Sequence, residues 1–172
     1  MQTVQNSGNF TVFASYSSKD IETIKPILER ISYIEGVKIF FADQDLQPGE
    51  MINRSITQNI LNSDIFLLFY SESAKQSTYV QQEIGVALGH NKIIIPLLLD
   101  ETKPTGMLAN IQYLDLSVET KRPSELERLY NFIVRNVQTK NQNQLIGALA
   151  LLGIGYLLYK SSKDQDEYDD CY

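Results

Sequence analysis

Phe10-Thr11-Val12-Phe13-Ala14-Ser15-Tyr16-Ser17-Ser18-Lys19-Asp20-Ile21 passes from apolar residues through a polar turn to a helix start without a break. Its first part, Phe10 to Ala14, has the β-branched and aromatic content of a strand. Ser17-Ser18-Lys19-Asp20 then offers a serine cap with an acid three residues on, and Ile21, Ile24, Ile27, Leu28 and Ile31 continue as one stripe at helical spacing. Strand, short turn and helix in direct succession form the building unit of a parallel sheet.

The unit repeats along the chain. Further strands are predicted at Val37 to Phe41, Ile65 to Tyr70, Lys92 to Leu98 and Gln112 to Leu116. Between them Ile52, Ile56 and Ile60 form a second helical stripe, and Val80, Ile84, Ala87 and Leu88 a third, capped by Ser77 or Thr78. Pro26 is expected to bend the first helix, and His90, after Gly89, to complete the C-terminus of the third. Asp100 to Met107, with Pro104 and Gly106, reads as a loop, and a final helix over Ser124 to Val137 buries Leu126, Leu129, Tyr130, Ile133 and Val134. The expected fold is α/β, a flavodoxin-like five-stranded parallel sheet with helices on both faces. Ligands of such sheets bind beyond the carboxyl ends of the strands where the strand order reverses, here between strands one and three. The segments leaving those strands are Ser15 to Ser18 and Ser71 to Ser77, the latter followed by the helix carrying Glu83.

Composition narrows the function. The 172 residues carry a net charge of −6, with 13 basic and 16 acidic residues up to position 140 and 2 and 5 over positions 160–172. Without a basic stripe to neutralise phosphates, nucleic acid is not an expected partner. One cysteine, Cys171, and one histidine, His90, exclude a disulfide framework and a Cys/His zinc site, and fit a reducing, cytosolic home. The polar start, Met1 to Asn9, lacks the pattern of a signal peptide. Asp43 and Asp45 lack the further oxygen ligands of a calcium loop, so no metal is expected. A phosphate-binding loop is absent, and Gly153 and Gly155 have no preceding strand to make a dinucleotide fingerprint. Ser15 to Ser18 stand where a response-regulator receiver would need acids.

Three spaced motifs carry a family resemblance. Val12 to Asp20 resembles the first motif of TIR domains, a strand followed by Ser-Tyr-Ser and an acid. Phe40-Phe41-Ala42-Asp43-Gln44-Asp45-Leu46-Gln47-Pro48-Gly49-Glu50 is similar to the second strand and the Pro-Gly-containing BB loop. Ser77-Thr78-Tyr79-Val80-Gln81-Gln82-Glu83-Ile84-Gly85-Val86-Ala87 resembles the segment in which a serine and an aromatic residue precede the catalytic glutamate. The BB-like loop favours this family over the nucleoside deoxyribosyltransferases, which share the sheet and a glutamate. Tyr79 to Ala87, Ile94-Ile95-Pro96 and Pro104-Thr105-Gly106-Met107 look closest to the bacterial TIR proteins of Thoeris-type antiphage defence.

The resemblance implies an enzyme that cleaves the nicotinamide–ribose bond of NAD+, its substrate rather than a cofactor, to ADP-ribose or a cyclic isomer sensed by a partner effector. It implies Glu83 as the catalytic residue, Ala14, Ser15, Tyr16, Ser17, Asp45, Ser77 and Tyr79 as substrate contacts, and self-association through TIR contacts. The chemistry suits the residues. Breaking the bond develops oxocarbenium-like charge on the sugar, which a fixed carboxylate stabilises. Nicotinamide leaves neutral, so no second acid is needed to protonate it. Tyr79 precedes Glu83 by four residues, on one helix face. Tyr79 is equally readable as packing, and Ser15, Ser17 and Ser18 as turn and cap residues. The alternative function is a non-catalytic TIR module for signalling or assembly through TIR–TIR contacts around Pro48 and Gly49.

The expected organisation is a flexible N-terminus at 1–8, the TIR domain at 9–138, a linker at 139–144, an apolar helix at 145–160 and an acidic tail at 161–172. Leu145 to Tyr159 is uncharged, with Tyr156, Tyr159, Lys160 and Lys163 arranged as an interfacial anchor. This suggests a single-pass membrane protein with the TIR domain on the cytoplasmic side, against the alternative of a helix packed on the domain or a partner. Gly147, Ala150 and Gly153 hint at close helix approach and oligomerisation.

Overall fold

The computed structural model of the chain describes residues 9–41 and 54–143. The chain divides into two compact units, Met1–Val137 and Gln138–Tyr172. In the first unit, strands β1 (Phe10–Ser15), β2 (Val37–Phe41), β3 (Ile65–Tyr70), β4 (Ile93–Leu98) and β5 (Leu114–Asp115) alternate with helices α1 (Ile21–Ser32), α2 (Arg54–Asn62), α3 (Glu72–Gln76) and α4 (Thr78–Gly89). A last helix, α5, covers residues 122–137 of this unit. Of the second unit, residues 138–143 are described and are helical.

All strand pairings are parallel and the order is β2-β1-β3-β4-β5, so the chain runs outward from β1 to β2 and then returns across it to β3. The flavodoxin-like sheet expected from the sequence is therefore present, and its switch point lies between β1 and β3. Because successive side chains point to opposite faces, the strands feed two cores. Val12, Ala14, Leu67 and Phe69 pack with Ile24, Leu28 and Ile31 of α1 and Leu129 and Ile133 of α5. Phe13, Phe66, Leu68 and Tyr70 pack with Ile56 and Ile60 of α2 and Val80, Ile84 and Ala87 of α4. All six residues of β3 are buried, as a central strand covered on both sides requires.

The differences are local. The fifth strand narrows from Gln112–Leu116 to Leu114–Asp115. Lys92 lies outside β4, and its ammonium donates to the carbonyls of Leu61 and Ser63, satisfying the end of α2. Ser71 to Ser77, expected only as the segment leaving the third strand, contains α3. α1 runs through Pro26, which is exposed. At the end of α4, His90 donates its backbone N–H to Val86, and Asn91 takes a φ of 53°, the left-handed turn-off that asparagine tolerates.

The membrane placement is corrected. Among the described residues no helix is long and apolar enough to cross a membrane. The run behind the expectation is also short in sequence, since 15 strictly apolar residues, if helical, would rise ~22 Å against a ~30 Å hydrocarbon core. The expected apolar helix at 145–160 lies outside the described residues, as do positions 1–8, 144 and the tail at 161–172. The BB-like segment with Asp43, Asp45, Pro48 and Gly49, and Ile52 of the second stripe, also lie outside them.

An aromatic contact of the core joins β1 to β3: the rings of Phe13 and Phe66 stack with centroids 5.5 Å apart and planes 13° from parallel. Phe66→Ala is expected to lose about 3 to 5 kcal/mol in urea unfolding, because a fully buried ring leaves a cavity between the sheet and helices α2 and α4. A loss below about 1 kcal/mol would show that this contact does not anchor the sheet.

Candidate functional site

β1 sits between β2 and β3, and its last residue, Ser15, pairs with Leu68 of β3 at the switch point, one residue beyond its last pairing with β2. The two-residue alternation that sends Phe13 toward α2 and α4 sends Ser15 the same way. α4 approaches from that side. Its start is fixed by Ser77, whose Oγ accepts from the Val80 N–H at 3.4 Å, and its inner face by Val80, Ile84 and Ala87. The helical repeat then brings Glu83 inward, where it is only 4% exposed.

The two residues meet there, 68 positions apart in the chain: Ser15 Oγ donates to Glu83 Oε2 at 2.5 Å. Burial pushes the Glu83 carboxyl up from 4.5 to about 7, and the Ser15 hydrogen bond partly opposes it. Among the described residues no ion pair involves Glu83. Desolvation therefore dominates, and the group sits near the middle of its titration at neutral pH.

Side-chain hydrogen bonds knit the surrounding loops together. Ser71, the cap of α3, accepts from the Ala74 N–H and donates to Asp20 Oδ2 at 2.6 Å, joining the segment after β3 to that after β1. Asp100, after β4, accepts from the Glu72 N–H at 2.9 Å. The Tyr70 phenol, its pKa raised by burial, hydrogen-bonds Thr105. Ser71 and Asp20 were not singled out from sequence as a pair. Asp20 reads there as a helix-cap acid, and nothing local indicates its partner.

The expected site residues separate into groups. Ser15 and Glu83 are brought into contact. Tyr79, one turn before Glu83 on α4, is 38% exposed, and Ser77 is half-buried in its capping position. Ser17 is buried and accepts from the Lys19 N–H in the short 3₁₀ turn at Ser18–Asp20. The side chains of Ala14 and Tyr16 lie on the opposite face, in or against the core formed with α1 and α5, so they do not join Glu83. Asp45 lies outside the described residues. Among those residues no three His, Cys, Asp or Glu side chains converge as metal ligands.

The family model for the TIR domain matches residues 12–130. The chain belongs to the TIR domain family. No curated protein matches it in sequence. Among solved structures it is similar to the TIR domain of the Toll-related receptor TRR-2 from Hydra magnipapillata, with 24% identity and a TM-score of 0.59 over 71% of this chain and 96% of that one. It is also similar to the TIR domains of the activated Roq1 resistosome, at 16% identity and a TM-score of 0.55, covering 73% of this chain and 99% of that one. A third similar structure is the CMP N-glycosidase BcmB of Clostridium botulinum, at 22% identity and a TM-score of 0.50, covering 71% of this chain and 98% of that one. At these identities the likenesses establish the TIR fold alone.

The Glu83 environment of the TIR domain makes a stability prediction. A carboxyl whose folded pKa lies above its unfolded value binds its proton more tightly when folded. Its stabilising contribution is complete below about pH 4.5 and is lost as the pH rises through about 7. The difference amounts to about 3 kcal/mol. Glu83→Gln keeps an acceptor for Ser15 and removes the charge. In urea unfolding it is expected to match wild type near pH 4 and to exceed it by a few kcal/mol at pH 8. An equal offset at both pH values would contradict the burial argument.

Proposed function

We propose that this TIR domain cleaves the N-glycosyl bond between nicotinamide and ribose in NAD+, with Glu83 as the catalytic residue. The observation that carries the reading is the buried Glu83 carboxyl, held by Ser15 at the carboxyl end of β1 beside the switch point. As the bond lengthens, its electron pair leaves with nicotinamide, which becomes neutral, and positive charge grows on the ribose. The Glu83 carboxylate stabilises that charge in a site where water is scarce. Ser15 keeps the carboxylate oriented and favours its ionised form.

An incoming water completes the reaction by bonding to the sugar carbon and releasing a proton, which gives ADP-ribose. Attack from within the same molecule gives a cyclic isomer instead. Ser17, Ser77 and Tyr79 are the further substrate contacts in this reading, while Ala14 and Tyr16 contribute through their backbone. The likeness to an enzyme named as a CMP N-glycosidase supports N-glycosyl cleavage as chemistry this scaffold can host. The likeness to TIR domains of an activated resistosome supports self-association. In this reading the product is a nucleotide signal of antiphage defence, sensed by a downstream effector.

Nicotinamide release from NAD+, measured by chromatography with the full chain oligomerised on a scaffold, is expected for wild type. Glu83→Gln should lower it by at least about 10²-fold. If both proteins are equally inert or equally active, the proposal fails. The pH profile gives a second check. The rise of kcat/KM should have its midpoint near 7, because it reports the free enzyme's carboxyl. The midpoint of kcat should lie lower, since the cationic nicotinamide ring favours the carboxylate. Ser15→Ala should move the kcat/KM midpoint upward by removing the hydrogen bond that lowers it.

A further inference from the structure

Ser15 and Glu83 meet through one hydrogen bond. A second route joins the turn after Ser15 to the helix that carries Glu83. Asp20 donates its N–H to the Ser17 carbonyl at 2.9 Å, which closes that turn, and its Oδ2 accepts from Ser71 Oγ at 2.6 Å. Ser71 Oγ in turn accepts from the Ala74 N–H at 3.0 Å. The Ala74 carbonyl then accepts from the N–H of Ser77, the cap of α4, at 3.2 Å.

These links form a closed circuit. From Ser15 it follows the chain to Asp20, crosses to Ser71, passes through Ala74 and Ser77 into α4, and returns from Glu83 to Ser15. Ser71 and Ala74 are buried and Asp20 is half-buried, so water competes weakly for the Ser71 hydroxyl. At 2.6 Å the Asp20 contact has the length of a charge-assisted bond. The apolar contacts of Val80, Ile84 and Ala87 hold α4 against the sheet, but such contacts are non-directional. Directional bonds at two points fix where the Glu83 carboxyl stands relative to Ser15.

We infer that Asp20 is a positioning residue for Glu83: through Ser71 it holds the turn after β1 where Ser15 reaches the Glu83 carboxyl. Its effect on catalysis rests on the reaction proposed for Glu83, whereas the alignment itself does not. The sign of one measurement separates alignment from simple electrostatics. A negative charge nearby disfavours ionisation of Glu83, so removing that charge alone would lower the Glu83 midpoint. Loss of alignment weakens the Ser15 hydrogen bond, which opposes the effect of burial, and therefore raises it.

The Glu83 titration in the full chain, followed by NMR of isotope-labelled glutamate carboxyls, tests this, with Glu83→Gln identifying the signal by its loss. Asp20→Ala should move the midpoint upward, and so should Ser71→Ala, which cuts the same bond from the other side. Asp20→Asn keeps an acceptor for the Ser71 hydroxyl and should leave the midpoint near that of wild type. Added to Ser15→Ala, Asp20→Ala should cause no further shift, because the bond it aligns is already gone. In nicotinamide release, Asp20→Ala should lower kcat at its alkaline plateau by about 10- to 10²-fold. Should Asp20→Ala fail to fold by circular dichroism, Ser71→Ala decides by the same measurements. An unmoved or lowered midpoint overturns the inference, as does an equal upward shift in the Ser15→Ala background or an unchanged kcat. If wild type releases no nicotinamide, the reaction proposed for Glu83 fails, and the NMR midpoints alone decide for or against the alignment.

Discussion

A carboxyl group that is 4% exposed, with a hydroxyl at 2.5 Å and no cation beside it among the described residues, is costly to ionise, and the crevice is organised around that cost. Two opposing effects act on Glu83, and their balance is legible in its pKa of about 7: burial outweighs the hydrogen bond from Ser15. A solvated helix acid would titrate near 4.5 and stay charged through the neutral range. Moving the midpoint to neutrality is possible only because α4 presses this turn against the sheet through Val80, Ile84 and Ala87, leaving little room for water. The hydrophobic face of one helix thus sets the electrostatics of one carboxyl.

Holding that geometry requires the loops around it to be fixed as well. Ser71 links α3 to Asp20, Asp100 holds the start of α3, and Tyr70 reaches Thr105, so segments following β1, β3 and β4 restrain one another. Hydrogen bonds to charged acceptors contribute about 1.5 to 3 kcal/mol each, more than neutral ones. Two of these three links use carboxylates as acceptors. Such cross-links tie together the segments at the carboxyl ends of three strands, the end of the sheet at which Ser15 meets Glu83.

How much of this is legible in the sequence depends on the range of the signal. β3 is readable because six consecutive apolar residues with turn residues on either side fit a doubly covered strand. α1 is readable because its stripe repeats over three turns. α3 is not, because in Glu72–Gln76 only Ala74 is buried and the helix depends on the Ser71 cap rather than on periodicity. The contact of Ser15 with Glu83 has no local signature at all; it follows only once the strand order places β1 beside β3 and α4 over both. Family resemblance is likewise coarse at the level of a side chain. It groups Ala14, Ser15 and Tyr16 together, yet the strand alternation sends Ser15 to one core and its two neighbours to the other. The membrane expectation rested on an uncharged run and the tyrosines and lysines at its end, in a stretch whose strictly apolar part is short for a span.

That alternation also explains why one small sheet can carry two chemically different surfaces. The face with α2 and α4 ends in an acid deprived of water, while the β4–β5 edge of the other face, under α5, is lined with arginines and aromatic rings and no acid. The separation matters for the chemistry proposed for Glu83. Ordinary glycosidases use two carboxyl groups, one to protonate the leaving group. A leaving group that departs neutral removes that need, so a lone buried carboxyl is sufficient where its only task is to oppose developing positive charge. An arginine close to Glu83 would lower its pKa and spend its charge before the substrate arrived. With Arg128 and Arg135 on the far face of the sheet, the carboxylate's field is not spent on them and is available for the cation that would form in the proposed cleavage.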